Sequence, residues 1–142
     1  MGRLLGIDYG LKRCGIAVTD PLRIFAAGLT TVPTAGLFDF LETYLKEEEV
    51  NMIVLGLPYH ESGDPGQLYE VIQDVGSKIK VKFPNVELHY LDERYTSRMA
   101  REIILQSGAN RKKRQDKALV DKVSAGIILQ EFLELIEKQN KV

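Results

Sequence analysis

The chain has little of several things, and each shortage excludes a class. One cysteine, Cys14, among 142 residues rules out an intramolecular disulfide framework. Two scattered histidines and that cysteine give no ligand-spaced set for zinc. No apolar run approaches membrane-spanning length, and the first residues lack the basic-then-apolar layout of a secretory signal, so the expectation is a cytoplasmic chain without a membrane partner. Net charge is also scarce, at −1. Apolar and charged fractions of 44% and 27% are those of an ordinary globular protein, and the length suits one domain with a proper core. That domain is expected over residues 1–138, with 139–142 as a frayed tail.

The small net charge hides an uneven distribution. Between Arg94 and Lys122 stand nine basic residues against three acidic ones, a local +6 that leaves −7 for the remainder. Arg94, Arg98 and Arg101 recur at helical spacing as one stripe, and Arg111, Lys112, Lys113 and Arg114 form a run with no apolar anchor, followed by Lys117. Such a face suits a polyanionic partner, although a charge run is also what a solvated surface looks like.

What is present in quantity is alternation of apolar runs. Leu4 to Asp20 reads as two Leu/Ile/Val-rich strands joined by a polar segment with Gly10 and Gly15, a β-hairpin. Phe25 to Val32 supplies a third strand ended by Pro33, so the opening is an antiparallel meander. From Thr34, a candidate N-cap, the period becomes helical through Leu37, Phe40, Leu41, Tyr44 and Leu45. Asn51 to Leu57 is a continuous apolar run, the mark of a strand buried on both faces. A polar loop from Tyr59 to Gly66 follows, then a helix carrying Leu68, Val71, Ile72, Val75 and Ile79. A fifth strand, Val86 to Leu91, leads into Asp92-Glu93-Arg94. A helix is expected over Ser97–Gln106, and Asp116 caps a last one from Lys117 to about Lys138. Alternating strands and helices after a meander predict an α/β fold, a mixed sheet flanked by helices.

Acids stand at three places where this pattern has no structural need of them. Asp8 closes an apolar strand, where a carboxylate costs several kcal/mol unless a cation or hydrogen bonds meet it; as an Asx turn residue it would have the blander role. Asp121 lies in line with Ala125, Ile128 and Phe132, which aims it towards the sheet, and small Ser124, Ala125 and Gly126 allow close helix approach. Alternatively it serves only the helix N-terminus. The Asp92-Glu93 pair ends strand five. If strands one, four and five are parallel neighbours, these acids gather at one rim, where open α/β sheets bind ligands. Converging carboxylates need cations, and hard ions such as Mg²⁺ or Mn²⁺ prefer oxygen ligands. Two such ions about 4 Å apart can activate a water and stabilise the leaving oxygen of a phosphodiester. The basic stripe, with Lys12 and Arg13 in the hairpin loop, is placed to hold a nucleic-acid backbone.

Four segments carry a specific resemblance. Asp8-Tyr9-Gly10-Leu11-Lys12-Arg13-Cys14-Gly15-Ile16-Ala17-Val18, Val54-Leu55-Gly56-Leu57-Pro58, Asp92-Glu93-Arg94-Tyr95-Thr96-Ser97 and Asp121-Lys122-Val123-Ser124-Ala125-Gly126 are similar, in order, to motifs of the YqgF/RuvX family. These are compact bacterial proteins resembling Holliday junction resolvases and associated with pre-16S rRNA processing. The resemblance implies a ribonuclease H-like, five-stranded sheet ordered 3-2-1-4-5 with strand two antiparallel. It also implies catalytic, metal-holding Asp8, Glu93 and Asp121; alternation says only that Asp92 and Glu93 take opposite faces. Two departures stand out: Ser62-Gly63 where the family usually has Asp-Gly, and Ser124 where its last motif usually has alanine. The expected activity is metal-dependent cleavage of structured nucleic acid, precursor rRNA or branched DNA, by a monomer or homodimer. A non-catalytic binding module, or an ATPase reusing the Asp-x-Gly hairpin, are the competing classes; an ATPase of that kind needs two lobes, and this chain has room for one.

Overall fold

The computed structural model describes residues 2–58, 66–93, 103 and 117–140. Its strands are β1 (Arg3–Tyr9), β2 (Arg13–Thr19), β3 (Ala26–Pro33), β4 (Val50–Pro58) and β5 (Glu87–Glu93); its helices are α1 (Leu37–Glu47), α2 (Gly66–Lys82) and α3 (Lys117–Asn140). One sheet holds all five strands in the order β3-β2-β1-β4-β5. β1–β2 and β2–β3 pair antiparallel, whereas β1–β4 and β4–β5 pair parallel. The meander, the parallel trio and the strand order are therefore those expected.

Period-two alternation sorts each strand between two cores. Leu5, Ile7, Ile16, Ile53 and Leu55 pack with Leu37 and Leu41 of α1 and Ile72 and Ile79 of α2 on one face. Leu4, Ala17 and Val54 pack with Ala125, Ile128, Leu129 and Leu133 of α3 on the other. Each fully buried Leu or Ile contributes at most about 1.5–3 kcal/mol, so the two cores dominate cohesion. β4 sits in mid-sheet and feeds both, which explains its unbroken apolar run.

The two faces are covered at different distances. α3 lies across β1, β2 and β3, and glycines let it do so. A Cβ on Gly15 would collide with the backbone carbonyl of Asp121, and one on Gly28 would reach 2.9 Å from that of Lys122. Gly15 thus belongs inside β2 and not to the connecting loop, which is only Gly10 to Lys12.

Two further expectations change. Thr34 does not cap α1: it lies in a 3-10 turn (Thr34–Gly36), and the helix is capped by Gly36 without a side-chain bond. The Thr34 hydroxyl instead donates to the Gly10 carbonyl at 2.6 Å, tying the β1–β2 loop to the end of β3. α3 also runs on to Asn140, past the expected Lys138. The helix expected over Ser97–Gln106 lies outside the described residues apart from Ile103, which is helical and exposed.

Candidate active site at the C-terminal rim

Asp8 is the next-to-last residue of β1 and follows Leu4 and Gly6 onto the α3 face. Its cross-strand partner is Gly15. Because the Asp121 backbone rests directly over Gly15, the N-terminal part of α3, at its second turn, is brought beside the end of β1. Two acids distant in sequence meet through one missing side chain. Both line a cavity of about 440 Å³ together with Tyr9, Lys12, Arg13 and Leu68.

Within that cavity Arg13 Nε donates to Asp121 Oδ2 at 2.8 Å, with the side chains 33% and 25% exposed. A charge-assisted bond in this half-buried setting fixes the carboxylate's orientation. Lys12 stands exposed on the same wall. Cys14, beneath the rim, is a buried free thiol whose pKa is pushed up first by burial; bonds to Thr34 and Gly10 oppose this, and the negative charges of Asp8 and Asp121 add to it. It is thereby kept a neutral thiol. Tyr9 also lines the cavity, its hydroxyl pKa raised mainly by burial.

Glu93 ends β5 opposite Pro58 of β4. It holds the register position two beyond Leu91, which packs against the α3-side core, whereas Asp92 shares the register set of Leu88 and Tyr90, which pack on the α1/α2 side. Asp92 is exposed. The donors of the cavity suit a hard cation: they are carboxylates, with no cysteine or histidine among its described lining residues. Among the described residues no group of three or more His, Cys, Asp or Glu side chains is assembled for a metal.

The structure brings Asp8, Asp121, Lys12 and Arg13 together. Lys117 opens α3 as an exposed residue. Arg94, Arg98, Arg101, Arg111, Lys112, Lys113 and Arg114 lie outside the described residues, as do His60, Tyr95 and residues 59–65. Sequence reasoning missed Tyr9 and Leu68 as cavity walls and missed the pairing of Arg13, the first residue of β2, with Asp121. A glycine inside an apolar strand is the available signal for such a close approach.

Known structures share this architecture. Thermus thermophilus RuvC bound to a Holliday junction superposes with a TM-score of 0.58 at 12% identity, covering 96% of each chain. The fowlpox virus resolvase bound to Holliday junction DNA gives 0.56 at 13% identity, over 94% of this chain and 98% of that one. The fold is accordingly the ribonuclease H-like fold of the resolvases.

Sequence comparison narrows this class. The family model described as "RuvX: Holliday junction resolvase" matches residues 2–135. The "Putative pre-16S rRNA nuclease" of Porphyromonas gingivalis is 52% identical over 134 residues, 94% of this chain and 97% of that protein. The protein of the same name from Flavobacterium johnsoniae is 45% identical, covering 94% and 96%. The chain belongs to the RuvX family, a family of nucleases by the names its members carry.

Proposed function

We propose that this protein is a divalent-metal-dependent endonuclease that hydrolyses phosphodiester bonds in structured nucleic acid, with the ends of precursor 16S rRNA as its substrate. The observation that carries this reading is the meeting of Asp8 and Asp121 in one cavity with Lys12 and Arg13 on its walls, at the C-terminal ends of parallel strands. Full-length relatives named for that reaction support the choice of RNA.

In this reading Asp8, Asp121 and Glu93 hold Mg²⁺ or Mn²⁺, which when bound supplies an activated water and charge stabilisation for the leaving oxygen. The chain's own residues do the rest. The strand end and the helix fix the two aspartates before substrate arrives, so little reorganisation is needed in the reaction. Lys12 and Arg13 meet the phosphate. The basic residues from Arg94 to Lys117 hold the flanking backbone and give salt-sensitive affinity. Strand alternation favours Glu93 over Asp92 as the third acid, because its register position is that of the α3 face.

The test is cleavage of precursor 16S rRNA by purified protein with Mn²⁺. Asp8→Asn keeps the side-chain volume and removes the charge, and is expected to lower the rate by more than about 100-fold, beyond the loss typical of a ligand's outer partner, with thermal unfolding little changed. Undiminished cleavage by the variant would place the chemistry elsewhere. A four-way DNA junction run in parallel tests the second reading, which the family description favours: faster cleavage of the junction than of the RNA would make DNA the substrate.

A further inference from the structure

The Arg13–Asp121 pair stands in the same cavity as Asp8, and resting on the metal-dependent reading above, we infer that Arg13 is an internal cation competing with the divalent ion for Asp121. Three observations carry the inference. First, the bond is short, 2.8 Å, and ends on a carboxylate that lines the cavity. Among the described residues it is the one hydrogen bond of the Arg13 side chain, whereas Arg3 and Arg23 each also hold a backbone carbonyl, of Thr19 and Gly2.

Second, both partners are partly exposed, at 33% and 25%, so the pair can open without dismantling a core. Third, the backbones are not free to adjust. The Asp121 carbonyl rests on Gly15, two residues along β2 from Arg13. The mobile part is the long guanidinium side chain. It can leave the carboxylate and join Lys12 on the cavity wall, where a phosphate would be met. Arg13 then serves Asp121 when the ion is absent and the polyanion when it is present. A guanidinium held on Oδ2 and a divalent ion on the same carboxylate repel each other at close range, so each weakens the other's binding, and the coupling is reciprocal.

This is a positioning role with a sign that a merely structural ion pair would not show. If Arg13 only braced Asp121, its removal would loosen the carboxylate and weaken metal binding. If it competes, removal strengthens metal binding. Mn²⁺ titration of the nucleic-acid-free protein, followed by the electron paramagnetic resonance signal of the free ion, reads the difference without any turnover. Arg13→Gln is expected to bind Mn²⁺ roughly fivefold or more tightly than the native chain, the lower end of ordinary site coupling. Arg13→Lys, which keeps the charge but loses the planar fork, is expected between the two.

Equal or weaker binding by Arg13→Gln overturns the competition while leaving the metal reading intact. Absence of Mn²⁺ uptake by both proteins at millimolar ion overturns the metal reading and the competition together. Should Arg13→Gln fail to fold by circular dichroism, Arg13→Lys carries the same test: tighter binding than native supports the competition, and equal or weaker binding overturns it.

Discussion

The two rims of the sheet use the same residue types to different ends. At the rim where β1 begins, Arg3 pairs with Glu48 at 3.3 Å and donates to the Thr19 carbonyl at 2.9 Å. Arg23, in a left-handed conformation at φ 59°, donates to the Gly2 carbonyl and to Asn51 Oδ1. The Leu4 amide is met by the Thr19 hydroxyl, and Asn51 Oδ1 accepts from the Gly2 amide. Donors there are matched to backbone carbonyls and side-chain acceptors, and none of these residues lines the cavity of about 320 Å³ at that rim, between Glu49, Val50, Lys82 and Val86. At the opposite rim Arg13 spends its bond on a carboxylate that lines a cavity, and one turn further along α3 the buried Ser124 hydroxyl has no partner among the described residues. An arginine–acid pair by itself says little about function. What it is surrounded by, closed backbone or open cavity, separates bracing from chemistry.

That contrast can be broken at three places, in falling order of effect. Gly15→Ala puts a Cβ into the Asp121 carbonyl, a backbone atom that cannot swing away. Overpacking of this kind costs about 1–3 kcal/mol, so a lowered Tm is expected together with lost cleavage, because α3 must lift and carry Asp121 with it. Normal cleavage by a folded Gly15→Ala protein would mean that the aspartates need not be held so closely.

Arg23→Ala tests the bracing rim. Loss of two partly buried bonds is expected to lower stability by about 1–2 kcal/mol in urea unfolding, with cleavage per folded molecule unchanged. A fall in activity at constant folded fraction would show that the two rims are coupled.

Ser124→Ala goes the other way. Removing an unpartnered buried hydroxyl is expected to stabilise by up to about 1 kcal/mol, read as a small rise in Tm. No rise would show that the hydroxyl finds a partner in solution.

Much of this arrangement was legible in the residues. The switch from period two to helical spacing located the five strands and the helices that the structure describes, and the stripe running back from Phe132 through Ile128 and Ala125 to Asp121 pointed the acid at the sheet. In the structure Ala125 and Ile128 are completely buried, and Asp121 lies partly buried at the cavity. Local pattern failed where a long-range partner decided the outcome. Thr34 has the chemistry of a cap, but a carbonyl on the β1–β2 loop offered its hydroxyl a better acceptor, and a glycine took the cap position. Gly15 looked like a turn residue because its reason for lacking a side chain lies more than a hundred positions downstream. The pairing of Arg13 escaped notice for the same cause: its acid partner is visible only after α3 is docked. The choice of Glu93 came from family likeness, and only the register of β5 on β4 supplies an independent reason for it.

The seating of α3 on bare glycine backbone has one more consequence. The backbones that carry the aspartates are two rigid bodies in direct touch, which set their spacing as a gauge block sets a gap. Lengthening the β1–β2 turn should therefore leave the distance across the acidic pair constant, because Gly15 and Asp121 keep their contact. A scaffold of this kind holds its gap whatever the turn beside it becomes.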